Sequence, residues 1–165
     1  MDSILVACVG NIFLGDDGFG VEVAQHLKRR EAPAGVRIED FGIRGFDLAY
    51  ALMDPWQHVV LVDAVDLGGA PGDVSVVQPD LESVEAPENE SLDSHGMHPI
   101  CVLRMVKQMG GTPPPLTLLA CQPLDCGGEE GRMGLSPVVE AAVPTAIEVL
   151  DRLLEELSAR PGRTN

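Results

Sequence analysis

At 165 residues the chain fits one domain with a proper core, and its formal net charge of −15 argues against a general role on nucleic acid or on an anionic membrane surface. Hydrophobic residues make up 45% and aromatics only 4%, so the core is expected to be Val, Leu, Ile and Ala. No apolar run is long enough to span a bilayer and no charged-then-apolar leader opens the chain, so a cytoplasmic protein is expected.

Ser3–Val9 is an apolar run and predicts a buried strand. "GNIFLGDDGFG", Gly10 to Gly20, follows as a glycine-rich turn that leads into a helix from Asp17 to about Arg30, with Val21, Val23, Ala24 and Leu27 on one face. Lys28, Arg29 and Arg30 fall in its expected last turn, where cations suit the helix dipole. "GVRIEDFG" predicts a short strand from Val36 to about Phe41, and "GFDLAYALMD" a helix from Gly45 to Asp54, ended by Asp54-Pro55. "HVVLVDAVD" is the strongest strand pattern, His58 to Asp63. "DVSVVQ" alternates as an edge strand does.

Leu81 to Ser94 is acidic and aperiodic and is expected to be a loop. "HPICVLRMVKQMGG" predicts a helix with Pro99 in its first turn and Gly110 or Gly111 as its stop. "LTLLACQP" is the last strand, and the closing helix opens with Ser136 as N-cap and Pro137 at the first position, with a kink expected at Pro144. Residues 1–158 form a single domain on this pattern, and 159–165 a frayed tail. Of the four cysteines, Cys8 and Cys121 lie in strand patterns and Cys101 on a helix pattern. The spacing of Cys121 and Cys126 is not that of a zinc knuckle, so free thiols are expected.

Strands alternating with helices predict an open, mostly parallel sheet covered on both faces, with its functional crevice beyond the carboxyl ends of the strands. Asp16 and Asp17 follow the first strand, Asp63 ends the central one with Asp66 close behind, and His95 and His98 lie before a later helix. The glycines of the first turn fit neither G-x-G-x-x-G nor the phosphate loop with its lysine. Two carboxylates repel an anion and attract a cation, and carboxylate, carboxylate and imidazole make a reasonable ligand set for a divalent transition metal. Each residue also has a plain structural alternative: Asp16 or Asp17 as a helix cap, Asp63 as a turn residue, the histidines as solvated loop residues.

In "GNIFLGDDGFG", "DFGIRGFDL", "VVLVDAVDLGGAPGDV", "SHGMHP" and "GLSPVVEAAV", in that order, the chain resembles the [NiFe]-hydrogenase maturation proteases from Ile4 to about Leu157. The resemblance implies a three-layer α/β/α sandwich around a five-stranded, mostly parallel twisted sheet with one antiparallel strand, for which "DVSVVQ" is the candidate. It implies an endopeptidase that removes the C-terminal peptide of a hydrogenase large-subunit precursor after nickel insertion, cutting just beyond a basic residue. It maps the metal-binding and catalytic residues onto Asp17, Asp63 and His95, and substrate contacts onto Asp40, Gly42 and Gly45. The resemblance also implies that the nickel is supplied by the precursor and that other divalent ions such as cadmium or zinc occupy the same place in vitro. His98, Asp16 and Asp66 are then supporting or solvent-facing residues, and the acidic loop from Glu82 to Asp93 is a solvated surface loop or a lid over the substrate tail. Ile43 and Arg44 stand where many members have smaller residues.

A metal held there would polarise the scissile carbonyl or acidify a water, or one carboxylate would act as general base. No Ser-His-Asp or Cys-His arrangement stands out, and no H-E-x-x-H helix is present. Three other readings share parts of the pattern: a phosphoryl-receiving regulator, which needs a lysine after the last strand that "LTLLACQPLD" does not offer; a nickel-binding carrier or checkpoint without cleavage; and a metal-dependent peptidase or amidase of other specificity.

Overall fold

The strand Ile4–Val9 (β1) is buried along its whole length, and the reason lies in its alternation. Ile4, Val6 and Cys8 enter one apolar layer while Leu5, Ala7 and Val9 enter another, so both faces of the strand need a cover. The computed structural model describes residues 3–80 and 98–161. Within them α1 (Phe19–Leu27) and α4 (Pro137–Ala159) cover the first face, and α2 (Gly45–Ala51) and α3 (Pro99–Gln108) cover the second.

β2 (Val36–Gly42), β3 (His58–Ala64), β4 (Val74–Val77) and β5 (Leu116–Cys121) complete a five-stranded sheet of order β2-β1-β3-β5-β4. The β2–β1, β1–β3 and β3–β5 pairs are parallel, and β4 pairs antiparallel with β5 at the edge, as "DVSVVQ" predicts. The chain leaves β1 for β2 on one side and returns to β3 on the other, so the strand order reverses between β1 and β3. In an open sheet of this kind that reversal leaves a crevice beyond the carboxyl ends of the two strands, where side chains from both loops converge.

Three element boundaries depart from the expected ones. The helix after β1 begins as a 3-10 turn at Gly15–Gly18 and becomes α-helical only at Phe19. It ends at Leu27, so Lys28, Arg29 and Arg30 lie beyond the helix, in the turn that follows. α2 stops at Ala51, before Asp54-Pro55, with Leu52 as its C-cap. α4 runs through Pro144 as one element. Its N-cap is Ser136, as expected, but the Ser136 hydroxyl makes no capping bond because it is committed elsewhere.

The close approach of α1 to the sheet depends on Gly20. A Cβ there would stand 2.1 Å from the Val9 carbonyl oxygen and 2.4 Å from that of Val62, both main-chain atoms that cannot swing aside. Only glycine lets the start of α1 sit on the ends of β1 and β3, and this contact brings the Gly15–Gly18 turn to the crevice.

Candidate active site

The adjacent aspartates of the first turn face different surroundings. Asp16 is fully buried. Its Oδ2 accepts from the N–H of Leu124 (2.8 Å), the N–H of Asp125 (2.9 Å) and the Ser136 hydroxyl (2.8 Å), and its Oδ1 accepts from the Ser136 N–H (2.6 Å). Burial pushes its pKa up, but the N–H groups of Asp125, Ser136 and Leu124 with the Ser136 hydroxyl outweigh burial and hold it below the usual carboxylate value. Asp16 is therefore neither solvent-facing nor a cap of α1. It ties the first loop to the loop after β5 and to the start of α4. Two main-chain bonds reinforce the tie, from the Gly15 N–H to the Arg132 carbonyl (2.8 Å) and from the Arg132 N–H to the Phe13 carbonyl (2.8 Å).

Asp17 is only partly buried, and its Oδ2 accepts from the Asn11 N–H at 3.0 Å, which orients the carboxylate within its own loop. Asp63, the penultimate residue of β3, is buried. Desolvation raises its pKa well above the ordinary value, the nearby Asp17 carboxylate raises it further, and a hydrogen bond from the Ala64 N–H only partly offsets them. The structure thus brings Asp17 and Asp63 together at the strand-order reversal. A buried carboxylate beside a second one forms an unfavourable pair that a cation or a proton relieves. His95, the expected third ligand, and the acidic loop Glu82–Asp93 lie outside the described residues. Among the described residues no group of three or more His, Cys, Asp or Glu is placed to hold a metal ion.

The remaining sequence-marked residues have structural partners. His98 is the N-cap of α3, its Nδ1 accepting from the Ile100 N–H at 3.3 Å, which commits one ring nitrogen to the helix. Asp66 accepts from the Gly68 N–H (3.0 Å) and from the Gln122 side-chain amide (2.8 Å). Gln122 in turn accepts from the Leu67 and Gly69 N–H groups, so it fixes the loop after β3. Asp40 Oδ1 accepts from the Gly42 N–H at 2.9 Å and shapes the turn after β2, where Gly42 has φ +51°. The Gly42 carbonyl receives the Gly10 N–H (3.0 Å), which couples that turn to the first loop. Gly45 opens α2 beside Arg44, whose guanidinium bonds Asp47 and the Asp40 carbonyl and lies 5.7 Å from the Phe41 ring centroid.

Sequence reasoning missed Gln122 and the place of Cys126. The Cys126 thiol lies beside the Asp17 main-chain N–H, and burial, then Asp17 and Asp16, push its pKa up. Asp17 and Asp16 lie more than a hundred residues away from it in the chain, so no local pattern announced the contact. The four cysteines are free, as expected.

An open α/β sheet with two carboxylates converging at its reversal point, held by a glycine-dependent helix contact, defines an α/β protein with an acidic crevice that favours cations. The chain belongs to the hydrogenase maturation protease family, whose sequence profile matches residues 21–152, a span that includes Asp63 and begins just after Asp17. A hydrogenase expression/formation protein, HupD, of Rhizobium leguminosarum bv. viciae is 34% identical over 164 residues, covering 96% of this chain and 79% of its own. The hydrogenase 2 maturation protease of Escherichia coli is 32% identical over 155 residues, covering 93% of this chain and 91% of its own. Among solved structures, the E. coli hydrogenase maturating endopeptidase HybD superposes with a TM-score of 0.74 at 29% identity, covering 94% of this chain and 93% of that one. A [NiFe] hydrogenase maturation protease from Thermococcus kodakarensis gives 0.65 at 26% identity, covering 92% of each. The expected family and the three-layer fold are borne out. No helix among the described residues is long and apolar enough to cross a membrane.

Proposed function

We propose that this protein is the endopeptidase that trims the C-terminus of a [NiFe]-hydrogenase large-subunit precursor in the cytoplasm, acting once nickel is in place in that precursor. The observation that carries the reading is the Asp17–Asp63 pair, a buried carboxylate with a second, partly buried one beside it at the carboxyl ends of β1 and β3. Such a pair suits a metal that arrives with the substrate. A nickel ion presented by the precursor relieves the repulsion between the carboxylates, and that preference distinguishes loaded from empty precursor. His95 supplies the third, nitrogen ligand in this reading.

Two jobs then fall to the chain's own residues. Asp17, more exposed and oriented by the Asn11 N–H, reaches the incoming metal first. Asp63, in the drier place, has the raised proton affinity that suits a group accepting a proton from the attacking water and returning it to the leaving amine. The metal polarises the scissile carbonyl. Asp40, Gly42 and Gly45 line the path of the tail.

The test is a mass spectrum of the precursor from the same organism after incubation with the protein, with and without nickel, beside Asp17→Asn and His95→Ala. Loss of one defined C-terminal peptide from loaded precursor alone, abolished in both variants, is the expected result. Binding without cleavage would make the protein a nickel checkpoint instead, and neither binding nor cleavage would overturn the reading.

A further inference from the structure

The loops that carry the crevice also carry much of the exposed apolar surface. Ile12 and Phe13 follow β1, Ile43 follows β2 with Phe46 just beyond it in the first turn of α2, and Leu124 and Met133 follow β5. Phe13, Phe46 and Met133 are 63%, 68% and 64% exposed. The three loops form one body: the Gly10 N–H bonds the Gly42 carbonyl, the Leu124 N–H bonds Asp16, and the Arg132 N–H bonds the Phe13 carbonyl. Large side chains this exposed on hydrogen-bonded loops lower stability and solubility unless something covers them.

The amount of surface points to what covers them. Six large apolar residues, each 43% to 68% exposed, offer more surface than a short extended tail needs and suit a partner of standard interface size, about 800 Å² a side. A second copy of this chain docked on the same rim would bury the crevice at its centre and shut out the substrate. Charge points the same way. Glu129 and Glu130 stand beside Phe13 and Met133, and the chain as a whole carries −15, so the rim suits an apolar and partly basic surface rather than another acidic chain.

We propose that this apolar rim is the docking surface for the folded body of the large-subunit precursor, so that the protease recognises the body and the crevice receives only the tail. The inference rests on the protease reading above and adds the residues that hold the partner. Phe13, Phe46 and Met133 are the anchors, because large side chains carry most of an interface's energy; Phe13 and Met133 line one hollow, and Phe46 stands at the start of α2.

The experiment measures steady-state processing of nickel-loaded precursor by wild type, by Phe13→Ser/Phe46→Ser, and by Val76→Ser, a control on the exposed edge strand β4. The double variant is expected to raise KM at least about 10-fold with kcat within about 2-fold, since uniform binding is lost and the chemistry is not. The control is expected to match wild type, with unchanged melting of all three proteins. A free peptide of the tail is expected not to compete with the precursor at equal concentration. An unchanged KM in the double variant, or effective competition by the peptide, overturns the docking inference while leaving the protease reading intact. A wild-type dimer that the double variant converts to monomer overturns it in favour of self-association. Wild type that processes no loaded precursor removes the protease reading, and the docking inference falls with it.

Discussion

Asp16 and Asp63 are both buried carboxylates, within reach of the same glycine-rich turn, and their surroundings push them in opposite directions. Asp16 accepts four hydrogen bonds, so its negative charge is the state the fold is built around. Among the described residues Asp63 has one main-chain donor and another carboxylate for a neighbour, so its negative charge is the state the fold resists. Burial alone therefore does not tell a structural acid from a functional one. The number of donors aimed at it does. A site that keeps a carboxylate dry and poorly satisfied gives up stability there, which is the usual sign of a group held ready for a ligand or a proton.

The largest test of this contrast removes the scaffold common to both. Gly20→Ala places a methyl carbon against the Val9 and Val62 carbonyls, and the expected loss exceeds about 4 kcal/mol or prevents folding, read by urea denaturation and soluble yield. Next comes Asp16→Ala, which strands the N–H groups of Leu124, Asp125 and Ser136. It is expected to cost about 3–5 kcal/mol, and a loss below about 1 kcal/mol would break the contrast.

The same carboxylate gives a pH dependence. Its folded pKa lies below the unfolded value of 3.8, so its contribution is complete above that value and is lost as pH falls through the folded pKa. Wild type is expected to lose stability in that acid range, and Asp16→Asn, already weakened at pH 7, is expected to show a shallower acid limb in the same melting series.

A smaller effect is expected at Gln122, which satisfies the Leu67 and Gly69 N–H groups and Asp66. Gln122→Ala is expected to cost about 1–2 kcal/mol and to slow cleavage by loosening the loop next to Asp63, without changing the cleavage position seen by mass spectrometry.

The strands and their order of burial were legible because β1, β3 and β5 are unbroken apolar runs, and the alternation in β4 marked it as an edge. The crevice was legible for a related reason: Asp17 and Asp63 each follow a strand, and the parallel sheet sends such residues to one edge. Which member of the Asp16–Asp17 pair enters the crevice was not legible from spacing. It is decided by donors at Leu124, Asp125 and Ser136, more than a hundred residues away, and no local period reports a contact of that separation. Helix ends were blurred for the opposite reason. Lys28 to Arg30 and Leu52 to Asp54 suit a helix or a turn equally, and the tertiary packing chose the turn.

Urea denaturation of Asp63→Asn at pH 7, beside wild type, tests the central claim most directly. Asp63's folded pKa is raised, so ionisation in the unfolded chain costs the native state stability at every pH above 3.8, by an amount that grows up to the folded pKa and is then constant. The neutral, near-isosteric amide removes that cost and still offers an oxygen to the Ala64 N–H. The account predicts a midpoint higher by about 1 kcal/mol of stability in a protein that no longer processes precursor. A variant that is markedly less stable than wild type would mean that Asp63, like Asp16, is an anchor of the fold, and the acidic crevice would lose its claim to be the active site.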